Sequence, residues 1–232
     1  MSDHPGYAAS APVPRDTPPM HRLAALLGLV VAFGWTYLLA GRSQSVADVH
    51  QDLVTIGAEW TIVLILASIA FGLQRKTFAY FRLRMPGARD VLVVLGAFVA
   101  TFVLVGIAGR FVTMPTSGLD ISQLGQVAFP LRLGLVFTAA VCEEFMYRGF
   151  GIEELNDLTG SWWLAGAISW AGFTLAHVDR YGWSPALAIP AIAGALLTLV
   201  YLWRRNLPAS MLLHFMIDGF TILLAPLYMH PR

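Results

Sequence analysis

Apolar residues along this chain come in long unbroken runs, too long for the strands or surface helices of a soluble domain. A helix crossing a bilayer needs about 20 mainly apolar residues. By that measure the chain offers about seven candidates, at 23–40, 53–73, 91–109, 127–149, 162–178, 185–203 and 208–227. The polar stretch 150–161 between the fourth and fifth reads as a connector with room for a short interfacial helix. The first residues are rich in Pro, Ala and Ser without hydrophobic periodicity, which predicts a disordered tail over 1–21. Residues 22–232 then form one integral membrane helical domain, with no repeat and no soluble second unit. The expected fold is an all-α, polytopic transmembrane bundle.

Composition supports that expectation. Hydrophobic residues make up 57% of the 232 positions and charged residues only 12%, about half the share usual in soluble proteins. The net charge of +1 gives no electrostatic basis for binding nucleic acid. A single cysteine, Cys142, excludes an internal disulfide and a multi-cysteine metal site. It reads as a small apolar filler. Basic residues set the orientation: Arg75, Lys76, Arg82, Arg84 and Arg89 crowd the 74–90 connector, which puts that loop and the N-terminus in the cytoplasm. Trp162, Trp163 and Trp183 fall near span ends, where aromatic anchors belong.

The candidate chemistry lies inside the apolar runs. Glu143 and Glu144 stand side by side in the fourth, with Arg148 one turn on. A carboxylate at bilayer depth costs about 2.5–3.5 kcal/mol by the gentlest scale, so a pair of them demands a reason. Residues four apart share a helix face, whereas neighbours diverge by about 100°. Glu144 can therefore pair with Arg148 as a structural ion pair, leaving Glu143 as the working carboxylate. The same spacing puts Phe173 a turn before His177, and His214 a turn before Asp218. A neutral histidine beside a carboxylate can help deprotonate water, and a second can donate to an oxyanion. The chain has no Gly-x-Ser-x-Gly and no His-Glu-x-x-His, which removes the serine-elbow and thermolysin-like readings. A mixed metal site of Glu143, His177, His214 and Asp218 stays open on spacing alone. Among the other acids, Glu59 reads as an interfacial or inter-helix contact, Asp90 as a helix start, and Glu153 and Glu154 as solvated.

Glu143-Glu144-x-x-x-Arg148, Phe173-x-x-x-His177 and His214-x-x-x-Asp218, in that order on successive apolar runs, resemble the motif set of the CAAX protease and bacteriocin-processing family, also called the abortive-infection family. The resemblance covers about residues 127–222, including the basic turn Arg204-Arg205 before the last motif. It implies a membrane-embedded glutamic endopeptidase that needs no metal or other cofactor. Glu143 would activate water, His177 would assist, and His214 with Asp218 would hold the oxyanion, with Glu144, Arg148 and Phe173 in support. The implied partners are the lipid bilayer and a membrane-associated peptide or protein substrate, in the plasma membrane of a prokaryote. Asp218 departs from the asparagine of the best-studied members. An amide donates where an ionised carboxylate only accepts, so Asp218 fits orienting or charging His214, or donating to the oxyanion only when protonated. Two other classes share these features: a non-catalytic immunity or regulatory protein of the same family, and a small proton-coupled transporter using the buried ionisable groups as a relay.

Overall fold

The structure is a computed structural model that describes residues 19–39, 49–112 and 127–224. Most of the tail expected over 1–21 therefore lies outside the described residues. Its last three residues, 19–21, already belong to the first helix, whose opening Pro19 suits a first-turn position.

The described residues form seven long helices: α1 (Pro19–Leu39), α2 (Val49–Leu73), α3 (Ala88–Ala108), α4 (129–159), α5 (Trp162–Ala176), α6 (Trp183–Arg204) and α7 (Leu207–Leu224). They fall on the seven apolar runs of the sequence. Five of them, counting α1 only as far as Tyr37, are long and apolar enough to cross a membrane: α1, α2, α3, α6 and α7. The two that do not meet that measure are α4, with its buried acids, and α5, which is only 15 residues long. These two carry Glu143, Glu144 and Phe173. The departure from about seven full spans thus falls on the two helices that carry these residues.

Side-chain exposure is that of a protein in lipid. Leu92, Val99, Val103 and Ile107 of α3, with Leu53, Leu64 and Ile65 of α2, face outward, because a bilayer exerts no pressure to hide them. In α2 and α3 only 17% of the best apolar window is buried, against 56% in α6. α6 is therefore the central post. Its 190–204 portion packs on α3, α5 and α7, while α4 packs on α1, α5 and α7. Close approach relies on missing side chains, as is usual between membrane helices. A Cβ on Gly194 of α6 would sit 2.7 Å from the Phe173 ring of α5, and one on Gly149 of α4 would sit 2.8 Å from Leu207 of α7.

Residues 150–161 depart most from expectation. They are no connector: α4 runs through to Thr159, and 150–156 are buried. Glu153 and Glu154 are 2% and 1% exposed, not solvated. Their partners come from elsewhere in the sequence. Glu153 accepts from Tyr201 Oη and, at 2.6 Å, from Arg205. Glu154 accepts from Gln74 at 3.0 Å and from Tyr80 Oη at 3.1 Å. Asp157 takes Lys76 at 2.6 Å. Nearby, Asp90 starts α3 as expected and accepts the Gly87 N–H at 2.9 Å. It also gathers Arg84, Arg204 and Asn206, at 3.1, 2.7 and 3.1 Å. One end of the bundle is thus tied together by acids from α3 and α4 and bases from the 74–87 and 204–206 turns.

Candidate active site

The site begins with an irregularity in α4. Over Ala139–Glu143 and again over Phe145–Ile152 the backbone opens into wide π-type turns, with Glu144 between them. Wider turns are uncommon and cluster at functional positions. Here Glu143 ends the first and Glu144 lies between the two.

Glu144 is saturated. Its Oε1 takes the Arg148 Nη1–H at 2.7 Å and faces His214 Nδ1 at 2.9 Å. Its Oε2 takes the Ser210 hydroxyl at 2.5 Å. Glu144 and Arg148 are both fully buried. Arg148 is held in turn, Nη2 donating to the Gly194 carbonyl at 3.0 Å, with its guanidinium 4.5 Å from the Phe173 ring centre. With donors on both oxygens, this carboxylate is committed to holding the helices together. It joins α4, α6 and α7 around one charge.

Glu143 is the opposite case. Its Oε2 is buried and has no hydrogen-bond partner. The Tyr147 hydroxyl, four residues on, is also buried without a hydrogen bond. Native interiors leave few polar atoms in this condition, and each one calls for an explanation. Glu59 of α2 is buried as well. It is an inter-helix acid, not one at the surface. Cys142 is fully buried, as an apolar filler should be.

The two histidines are set differently. His177 ends α5, and its Nδ1 lies 2.8 Å from the Phe173 carbonyl. A carbonyl only accepts, so Nδ1 carries the proton and Nε2 is the acceptor. His214 in α7 has a carboxylate at each nitrogen: Glu144 at Nδ1, and Asp218 Oδ2 at 3.5 Å from Nε2. A ring donates to both only as the imidazolium. Phe173 lies between them, its ring centre 4.5 Å from that of His177, 6.1 Å from that of His214 and 5.2 Å from that of Tyr147. The structure therefore gathers Glu144, Arg148, Phe173, His177, His214 and Asp218 into one chain of contacts, with Glu143 on the same turn of α4. Among the described residues, no three His, Cys, Asp or Glu side chains are grouped to hold a metal ion. The four residues that left a mixed metal site open on spacing do not form one.

Sequence reasoning missed three members. Ser210 precedes His214 by four residues and so shares its helix face, a signal that was available. Tyr147, four after Glu143, offered the same signal. Gly194, which admits the Phe173 ring and holds Arg148 by its carbonyl, had none: nothing in sequence marks a contact 46 residues away.

Residues 125–220 match the family of type II CAAX prenyl endopeptidases, Rce1-like. The motif-bearing part of this chain is Rce1-like. The matched segment contains all three motifs and agrees with the resemblance they suggested. No curated protein and no solved structure matches the chain. With five apolar helices able to cross a bilayer and a segment at 125–220 similar to type II CAAX prenyl endopeptidases, the protein is an integral membrane protein.

Proposed function

We propose that this protein is a metal-independent intramembrane endopeptidase in which Glu143 activates the hydrolytic water. The observation that carries the reading is the contrast within the glutamate pair. Glu144 has donors on both oxygens, while Glu143 keeps a buried oxygen with none. A general base needs such a lone pair within reach of its proton. In this reading Glu143 takes a proton from water while His177, with Nε2 accepting, orients or shares it. The resulting hydroxide attacks the scissile carbonyl. In this reading His214, its Nδ1 held by Glu144, turns its Nε2–H from Asp218, 3.5 Å away, to the oxyanion, and Tyr147 donates a further hydrogen bond. The proton on Glu143 then passes to the leaving amine as the C–N bond breaks. Asp218 serves by balancing the charge of His214, which is how a carboxylate works where relatives have an amide.

The substrate in this reading is a peptide or protein segment that reaches the site from the membrane, and the name of the matched family makes prenylated peptides the first class to try. In this reading the 74–90 connector, with its five basic residues, and the N-terminus face the cytoplasm. The test is cleavage of membrane-anchored peptides, prenylated and plain, by purified protein in detergent, read by mass spectrometry. Wild type should cut, with or without a chelator, and Glu143→Ala and His177→Ala should not, although both still insert and fold. Equal cleavage by wild type and Glu143→Ala contradicts the assignment, and loss of wild-type cleavage with chelator contradicts the metal-free chemistry.

A further inference from the structure

Among the described residues, three that are not glycine hold a left-handed backbone, and all three are arginines at the charged end: Arg75 and Arg82 at φ 56°, Arg205 at φ 48°. Glycine or asparagine takes this conformation with less strain, so the arginine side chain must contribute something a glycine cannot. For Arg205 the contribution is visible. Its guanidinium pairs with Glu153 at 2.6 Å and lies 3.5 Å from the Trp162 ring centre. Arg82 reaches Glu153 at 3.8 Å while 43% of its side chain stays exposed. Arg75 is exposed and pairs with no carboxylate among the described residues, and the same is true of Arg89.

The acids nearby are engaged inward. Asp90 holds Arg84, Arg204 and Asn206, and Glu153, Glu154 and Asp157 hold Arg205, Lys76 and Tyr80. What this end presents outward is therefore positive charge. It also presents apolar side chains: Phe78 is 68% exposed and Met85 89%, on the same short connector as Arg75. Alternating cations and apolar tips suit the boundary between headgroups and acyl chains.

We infer that the 74–90 connector is a binding surface for anionic phospholipid headgroups, with Arg75 and Arg89 as its principal contacts. Phe78 and Met85 sit among the upper acyl carbons while the two guanidiniums face the headgroup phosphates. The inference is independent of the peptidase reading.

The test uses the full-length protein in nanodiscs of phosphatidylcholine with and without phosphatidylglycerol, reading retained lipid by native mass spectrometry and thermal unfolding in parallel. Wild type should retain phosphatidylglycerol preferentially and unfold at a higher temperature with it. Arg75→Gly and Arg89→Gln should each weaken that preference by about fivefold. In pure phosphatidylcholine Arg75→Gly should be at least as stable as wild type, because glycine relieves the backbone. Destabilisation there would make Arg75 structural and overturn the inference, and so would an undiminished phosphatidylglycerol preference in Arg75→Gly and Arg75→Gln. Stabilisation by inorganic phosphate equal to that by the lipid would also overturn it, by pointing to a soluble anion.

Discussion

The same dipeptide, Glu-Glu, occurs twice in α4, ten residues apart, and the two copies are used in opposite ways. At Glu153-Glu154 both carboxylates are buried and both are met by bases and hydroxyls from two distant turns. At Glu143-Glu144 one is met completely and its neighbour keeps a buried oxygen with no partner. Burial is common to three of the four, so burial alone does not mark chemistry. What separates the pairs is whether each buried oxygen faces a hydrogen-bond donor or a cation. A structural acid has both oxygens engaged, and a catalytic one keeps an oxygen open.

Breaking the saturated member should have the largest effect on stability. Arg148→Ala leaves the Glu144 charge buried with its strongest partner gone, and should destabilise by about 3–5 kcal/mol; chemical unfolding in detergent measures it. Ser210→Ala strips the donor from Glu144 Oε2 and should cost about 1–3 kcal/mol. If it leaves stability unchanged, that oxygen was not dependent on Ser210 and the claim of saturation weakens.

The second pair predicts a sign. Burial holds the carboxyls of Glu153 and Glu154 above the ordinary range, against the pull of Arg205 and Lys76. A folded pKa above the unfolded one means the folded state binds more protons, so stability should fall as pH rises from about 4.3 through the raised values. Glu154→Gln should flatten that slope while leaving hydrolysis within about twofold, since unfolding and turnover are separable readouts. The smallest effect is expected at Tyr147. Tyr147→Phe removes an unpartnered buried hydroxyl, so stability should hold or rise slightly while hydrolysis drops about tenfold. A loss of stability without loss of rate would remove Tyr147 from the site.

The seven helices could be read from the lengths of the apolar runs because each must satisfy its own backbone in lipid. The Glu144–Arg148 pair was legible for a similar reason, since helix geometry alone puts residues four apart together. Contacts between helices were not. Glu153 and Glu154 look solvated in sequence because their neighbours are polar, and only the return of Arg205, Tyr201, Gln74 and Tyr80 from far away buries them. Likewise, nothing in sequence joins His214 to Glu144, 70 residues earlier, although one of its nitrogens faces that carboxylate. The wide turns of α4 leave no mark in a hydrophobic pattern, because they change hydrogen-bond register without changing which residues are apolar.

The most direct test sets one member of each pair against the other. Hydrolysis of a single membrane-anchored peptide would be measured for wild type, Glu143→Gln and Glu153→Gln, each normalised to folded protein. The account predicts a loss of about 10²–10⁴-fold in Glu143→Gln and a rate near wild type in Glu153→Gln. Equal rates in the two variants, whether both active or both dead, would contradict it.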